Sequence, residues 1–189
     1  MKENQLTSSN LVRKFGTRTV VDNVSFFVNS GEVVGLLGPN GAGKTTSFYM
    51  TVGVLKPTTG KVTIDGNDIT ELPIHKRARM GIGYLPQNSS VFRKLSVEDN
   101  LRAIMEVWGT PRNKRSDLLE KLIDQFGIGH IRKSLGISLS GGERRRLEIA
   151  RTLVISPRFL FLDEPFAGID PVTVCEIQEL IKKLVAEEN

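Results

Sequence analysis

The sequence contains one cysteine and two histidines among its 189 residues, and no long apolar run. The single cysteine, Cys175, excludes an internal disulfide and lies in a helical pattern, where we expect a small core residue. No segment approaches the roughly 20 apolar residues of a membrane-spanning helix, and the N-terminus lacks the apolar core of a secretory signal. These absences predict a cytoplasmic protein, and the length predicts one domain.

The charge is positive but scattered, with a formal net value of +5 at pH 7. Basic residues are locally dense at His75–Arg79 and at Arg144–Arg146, yet no aromatic residues alternate with them as stacking platforms for bases. We therefore expect no binding of nucleic acid. Both clusters are interpreted as solvated faces or as contacts with an acidic partner.

A phosphate-binding pattern is the strongest signal in the chain. The segment fits G-x-x-x-x-G-K-[ST] without a mismatch, follows the apolar run Val33–Leu37, which we predict to be a strand, and precedes a helical run. Its glycines allow backbone N–H groups to surround an anion at a helix start, which predicts a bound nucleoside triphosphate. Lys44 would contact the β- and γ-phosphates, and the Thr45 hydroxyl would complete a Mg²⁺ shell. The predicted nucleotide-binding residues here are Gly38, Pro39, Asn40, Gly41, Ala42, Gly43, Lys44, Thr45 and Thr46.

The rest of the pattern alternates between strands and helices. Short strands before the loop predict an antiparallel flap, and residues from about 88 to 139 predict an inserted helical lobe. In this lobe, Ser96 opens a helix that ends at Pro111, and a second helix runs from about Ser116 to Phe126. Asp170 followed by Pro171 predicts the start of a last helix.

Two further segments carry candidate chemistry. The buried-type strand Phe159–Leu162 ends in Asp163, a predicted Mg²⁺ ligand, and Glu164, whose carboxylate is the natural general base for an attacking water. In Leu139–Glu143, Ser140 and Glu143 form a predicted capping box, while Gly141 and Gly142 let the backbone approach a second anion.

The phosphate loop, Leu-Ser-Gly-Gly-Glu and Leu-Phe-Leu-Asp-Glu-Pro, in this order and spacing, resemble the nucleotide-binding subunits of ABC transporters over essentially the whole chain. The resemblance implies an α/β fold: a P-loop NTPase (RecA-like) core with an antiparallel β flap and an inserted helical lobe. It implies ATP and Mg²⁺ as ligands. It also implies that Phe15 stacks on adenine, that Gln87 senses Mg²⁺ and the attacking water, and that Asp170 acts across a dimer.

The resemblance further implies the assembly. Ser140–Glu143 would cap the nucleotide of a second copy, so that a homodimer is needed for turnover. Two transmembrane subunits would complete the transporter, and the chain would lie on the cytoplasmic face of the inner membrane, touching the bilayer only through these partners. Phe92 and Arg93, in a loop beside Gln87, are either a contact with such a partner or part of the lobe core.

Within the family, Gly81–Gln87 and Asp163–Pro171 are most similar to the ATPases of lipopolysaccharide export, with branched-chain amino acid importer ATPases as the alternative. The family has a γ-phosphate histidine after the last helix, whereas His75 and His130 both precede Asp163. We therefore expect a C-terminally truncated domain that lacks one central strand and leaves apolar surface and unpaired backbone groups in mid-sheet. A module that binds ATP but cannot turn it over is the second hypothesis.

Overall fold

The computed structural model describes residues 4–187, which divide into two compact units. The first unit contains residues 4–82, 158–161 and 184–187, and the second contains residues 83–157 and 162–183. The phosphate loop belongs to the first unit, and the predicted catalytic carboxylates belong to the second. Between residues 4 and 187, no helix is both long and apolar enough to cross a membrane.

The first unit is built on an antiparallel sheet. Its four strands are β1 (Gln5–Phe15), β2 (Arg18–Asn29), β3 (Thr59–Ile64) and β4 (Asn67–Asp68), in the spatial order β2-β1-β3-β4. The predicted antiparallel flap is confirmed. Strands β1 and β2 run longer than the sequence suggests because the irregularities at Asn10 and Asn23, which take positive φ values of 50° and 52°, shift the register without ending either strand.

Helix α1 (Lys44–Val52) packs against β1 and β2. Met50 and Val52 on this helix are fully buried, as are Leu6, Leu11 and Val62 on the sheet. Phe48 meets Phe161 edge-on, with ring centroids 5.0 Å apart. These contacts fix the helix whose first residue is the loop lysine.

The strand predicted at Val33–Leu37 is not formed. The side chains of Val33 and Leu37 are 68% and 90% exposed, and no strand among residues 4–187 pairs with the segment. An apolar run becomes a strand only where a neighbour takes up its N–H and C=O groups. The prediction of a strand was therefore wrong for the described chain, because the pattern alone does not supply a neighbour.

Short elements follow the first sheet. Helix α2 (Ile74–Arg79) leads to β5 (Ile82–Leu85), which forms a two-stranded sheet with β6 (Phe159–Leu162). The Phe159 amide donates to the Gly81 carbonyl, and the Asp163 amide donates to the Leu85 carbonyl. Equal steps in the same direction along both strands indicate parallel pairing.

The second unit is mainly helical. Its helices are α3 (Val97–Trp108), α4 (Arg112–Gln125), α5 (Gly141–Leu153) and the beginning of α6 (Pro171–Glu187), with single 3-10 turns at Gly129–Ile131 and Gly136–Ser138. Helix α3 contacts both α4 and α5. The core residues of this unit are Leu101, Met105, Leu119, Leu122, Phe126, Ile128, Leu147 and Ile149.

The predicted helix starts are confirmed at Ser96, Ser140 and Asp170, whereas α4 begins at Arg112 rather than near Ser116. Ser96 caps α3 by accepting a hydrogen bond from the Asp99 amide at 3.1 Å, and Ser140 and Glu143 form the predicted capping box of α5. Helix α3 ends at Gly109, in the left-handed conformation, rather than at Pro111. Cys175 is exposed rather than part of the core, since the buried residue of this turn is Ile177, which lies on the opposite side of the helix.

Candidate functional site

The phosphate loop has the backbone that its motif requires. Gly41 and Gly43 have φ values of 82° and 81°, and α1 begins directly after Gly43. A Cβ atom at Gly43 would lie 2.6 Å from the Val20 carbonyl oxygen, so only glycine fits at this turn. The segment from Gly38 to Ala42 is exposed, and Thr45 is exposed at the start of the helix.

Lys44 lies over its own loop. Its ammonium group donates hydrogen bonds to the carbonyl oxygens of Gly38 and Pro39, at 2.7 and 2.8 Å. An ammonium group carries three N–H donors, and these bonds use two of them. The lysine charge is therefore held at the mouth of the loop, in the position that suits a phosphate ligand.

Arg77 anchors the far end of α1, which corrects the interpretation of His75–Arg79 as a solvated basic face. The Arg77 side chain is only 1% exposed, and its guanidinium donates to four backbone carbonyl oxygens at 2.7–2.9 Å. The acceptors are Met50, Thr51, Thr70 and Leu72.

Two of these acceptors are C-terminal carbonyls of α1, where a helix leaves carbonyl groups without partners and favours a cation. Burial lowers the pKa of Arg77 to about 10, so the guanidinium stays protonated at neutral pH. Gly53 gives it room, because a Cβ there would lie 2.7 Å from Arg77 Nε. Sequence spacing gave no sign of this anchor.

Phe15, the predicted adenine platform, ends β1 and is 49% exposed. The Arg13 guanidinium carbon lies 4.6 Å from the centroid of its ring. One face of the ring therefore carries a cation, which is a favourable arrangement for an aromatic group.

In the second unit, Gln87 and Glu164 are brought together. Gln87 Nε2 donates to Glu164 Oε2 at 2.6 Å, although the residues are 77 positions apart. Both side chains belong to exposed residues. The bond fixes one carboxylate oxygen of Glu164, Oε2. The other oxygen, Oε1, is suited to accept a proton from water.

Asp163 is buried beside this pair, with 6% of its surface exposed. Its Oδ2 atom has no hydrogen-bond partner among residues 4–187. Burial, followed by the charge of Glu164, raises the pKa of Asp163, while a hydrogen bond from Tyr84 opposes the shift. A buried carboxylate oxygen without a donor fits a hard cation such as Mg²⁺.

Over residues 4–187 no cluster of three or more His, Cys, Asp or Glu side chains could hold a metal by itself. Mg²⁺ commonly binds through one or two carboxylates together with substrate phosphates. Asp163 offers one such carboxylate oxygen.

The predicted second anion site opens α5. Glu143 Oε2 accepts a hydrogen bond from the Ser140 amide at 2.8 Å. The bonds from the Ser140 hydroxyl and from its amide lower the pKa of Glu143. A Cβ atom at Gly142 would lie only 2.7 Å from Thr173 Cγ2, so a larger residue at this position would clash with Thr173. Asp170 caps α6 by accepting from the Thr173 amide and hydroxyl at 3.0 and 2.6 Å, and the hydroxyl bond lowers the pKa of Asp170.

A buried network next to the Gln87–Glu164 pair was missed by sequence reasoning, and its Arg145 corrects the interpretation of Arg144–Arg146 as a solvated face or a contact with an acidic partner. Arg145 and Glu148 on α5 are 6% and 3% exposed and form an ion pair at 3.1 Å. Arg145 also donates to the carbonyls of Pro86 and Pro165, at 3.2 and 3.0 Å. The only signal in the sequence was a pair of opposite charges three positions apart on a helix.

The comparison with known proteins decides the family. The family model described as "ABC transporter" matches residues 21–167. The chain belongs to the ABC transporter family. Solved ABC structures confirm the predicted α/β cassette fold. The ADP conformation of MJ1267, an ATP-binding cassette, is 29% identical with a TM-score of 0.86, over 98% of this chain and 78% of that chain. CbiO1 from Clostridium perfringens is 28% identical with a TM-score of 0.86, over 98% and 75%.

Curated ABC relatives are closer in sequence. The lipopolysaccharide export system ATP-binding protein LptB of Haemophilus influenzae is 55% identical over 181 residues, which cover 95% of this chain and 75% of that protein. LptB of Escherichia coli K12 is 54% identical over 180 residues, with the same coverage. A probable ABC transporter ATP-binding protein of Azorhizobium caulinodans is 54% identical, over 96% of this chain and 65% of its own length.

Proposed function

We propose that this ABC protein binds and hydrolyses ATP to power lipopolysaccharide export. The observation that carries the chemistry is the Gln87–Glu164 hydrogen bond of 2.6 Å beside the buried Asp163 carboxylate. The 54–55% identity to LptB proteins supports the cargo, since each of those proteins is named for lipopolysaccharide export.

Different residues bind the phosphates and activate the attacking water. Residues Gly38–Thr46 bind the phosphates through backbone N–H groups, and Lys44 adds a positive charge to the β- and γ-phosphates. Glu164 takes a proton from the attacking water, and Gln87 orients that water and the carboxylate. Thr45, Asp163 and Gln87 are the residues that would hold Mg²⁺, which would neutralise phosphate charge.

The active form is a homodimer joined to two transmembrane subunits at the cytoplasmic face of the inner membrane. Ser140–Glu143 supplies backbone N–H groups at a helix start, a geometry suited to the nucleotide of the second copy, and Asp170 acts across the same interface. The 44% exposure of Phe92 favours a contact with a membrane partner over a place in the lobe core. The Arg151 guanidinium carbon lies 4.4 Å from the centroid of the Phe92 ring. The bilayer is contacted only through these partners, and nucleic acid is not a ligand.

A second candidate is an ATP-binding module without turnover. It is favoured by the exposed, unpaired segment Val33–Leu37 that leads into the phosphate loop of the described chain. A loop whose supporting segment is loose binds phosphate less tightly and positions it less well.

Mg-ATP turnover separates these candidates. The chain is purified alone and with its co-purified membrane subunits, and both phosphate release and ATP binding are measured. We expect turnover in the complex that rises with lipopolysaccharide and not with leucine or valine. ATP binding without phosphate release in either sample would favour the second candidate, and stimulation by the amino acids would favour an importer.

A further inference from the structure

Arg145 joins two segments of the second unit that are far apart in sequence. Its buried guanidinium donates to the Pro86 carbonyl at 3.2 Å and to the Pro165 carbonyl at 3.0 Å. Weaker contacts reach the Asp163 and Glu164 carbonyls, at 3.4 and 3.5 Å. One rigid, planar group therefore binds the backbone just before Gln87 and on both sides of Glu164.

These two segments carry the Gln87–Glu164 pair. Pro86 directly precedes Gln87, and Asp163 and Pro165 flank Glu164. Glu164 has a φ of 43°, in the left-handed region that residues other than glycine rarely adopt. A strained residue keeps such a conformation only where its surroundings hold it, and the bonds from Arg145 to the carbonyls around Glu164 provide that hold.

Glu148 extends the connection to the residues after Gln87. Its Oε2 atom pairs with Arg145 Nη1 at 3.1 Å, while its Oε1 atom accepts from the Ser89 hydroxyl at 2.6 Å and from the Ser90 amide at 3.0 Å. The buried charges are thus both paired and hydrogen-bonded. The loop around Gln87 is bound on one side by Arg145, at Pro86, and on the other side by Glu148.

We propose that Arg145 and Glu148 are positioning residues for hydrolysis, which hold Gln87 and Glu164 at hydrogen-bonding distance without touching the nucleotide themselves. The proposal rests on the proposed function, in which Glu164 is the general base. It assigns to the middle of α5 a role separate from that of Ser140–Glu143 at the start of the same helix.

The test uses variants of the full chain in complex with its membrane subunits. R145M/E148L removes both charges and keeps the volume, so that no unpaired buried charge is left. R145K keeps the charge but lacks the planar fork. R146M is the matched control, because Arg146 lies on the same helix and bonds instead to Glu176 and to the Phe126 carbonyl.

We expect kcat to fall about 10- to 100-fold in R145M/E148L, as for a small displacement of a catalytic group, with KM for ATP within about twofold of wild type. R145K should fall in between, and R146M should keep the wild-type kcat. A fall in kcat together with a rise in KM and a lowered melting temperature, or an unchanged kcat in R145M/E148L, would overturn the proposal.

Amide hydrogen exchange gives a readout that does not need turnover. Peptides covering residues 86–90 and 163–167 should exchange at least about tenfold faster in R145M/E148L. Their exchange rates in R146M should equal those of the wild type. Faster exchange throughout the chain, or at neither segment, would overturn the positioning role. If the unaltered complex does not hydrolyse ATP, the proposed function fails, and the exchange measurement alone then decides on the positioning of the pair.

Discussion

The phosphate loop and the Gln87–Glu164 region hold their functional groups by different means. In the loop, glycine φ values and the start of α1 set the geometry, and Lys44 bonds to carbonyls five and six positions away. In the second unit, Gln87 Nε2 and Glu164 Oε2 lie 2.6 Å apart although the residues are 77 positions apart in sequence. The buried Arg145–Glu148 ion pair lies next to them. The loop is thus determined by local backbone conformation, and the carboxylate site by side chains from distant segments.

The difference predicts where mutations act. In the loop, we expect mutations to act at the glycines that set the backbone and at Lys44 and Thr45, the side chains proposed to meet the phosphates and Mg²⁺. A site built on a buried network is sensitive at residues that never meet the substrate. Arg77 is the exception in the first unit, since it fixes α1 from outside the motif.

The largest effect is expected from Arg77→Met, which tests whether the loop helix depends on one distant anchor. Four carbonyls lose their donor, and the free energy of unfolding should fall by about 3 kcal/mol. Denaturant titration measures the change, with exposed Lys76→Met as the control. Equal stability of the two variants would show that α1 holds itself in place.

Glu164→Gln removes the proposed general base of the Gln87–Glu164 region. ATP binding should persist, while hydrolysis should fall at least about a hundredfold, the low end for a positioned general base. Phosphate release and nucleotide binding are measured together on the complex, and an ATP-bound dimer should accumulate. Glu179→Gln, on the exposed side of α6, is the control. Turnover at the wild-type rate would assign the base to another residue.

Lys44→Ala removes the charged side chain of the phosphate loop. Loss of a charge-assisted bond should weaken ATP binding by about 1.5–3 kcal/mol. Calorimetry gives the affinity, and Lys56→Ala removes an exposed lysine of the same unit, paired with Glu71, as the control. An unchanged affinity in Lys44→Ala would show that the backbone N–H groups alone bind the phosphates.

The smallest effect concerns a surface network in the helical lobe. Bonds from Lys133 and Arg132 lower the pKa of Glu98 to about 2. Because this lies below the ordinary value of 4.5, the stabilisation is fully present above about pH 4.5 and is lost as the pH falls through 2. Glu98→Gln should cost about 1 kcal/mol of unfolding free energy at pH 7, after allowance for solvent screening.

The pH dependence of this difference is the decisive measurement. Glu98→Gln and wild type should converge in stability as the pH falls through and below 2, because the carboxyl becomes fully protonated in the folded state only below its pKa of about 2. Glu106→Gln, on the exposed side of α3, should show no such convergence. A constant difference from pH 7 to pH 2 would mean that the charge of Glu98 is not its cause.

Local signals in the sequence were enough for much of the fold. The glycines of the phosphate loop, the caps at Ser96 and Ser140, and the start of α6 after Asp170 were all predicted. Each depends on interactions within about four residues, so the segment itself contains the physical cause. The order of the motifs was likewise enough to identify the family.

Other features depended on partners that are distant in sequence. The pattern at Val33–Leu37 predicted a strand, but a strand exists only with a neighbour. Arg77, Arg145 and Glu148 looked like surface charges, whereas backbone carbonyls and opposite charges gathered from remote segments allow them to be buried. The sequence by itself determined the motifs and their chemistry. The tertiary structure alone decided which charges are buried and which side chains meet, because burial and pairing are properties of neighbours in space.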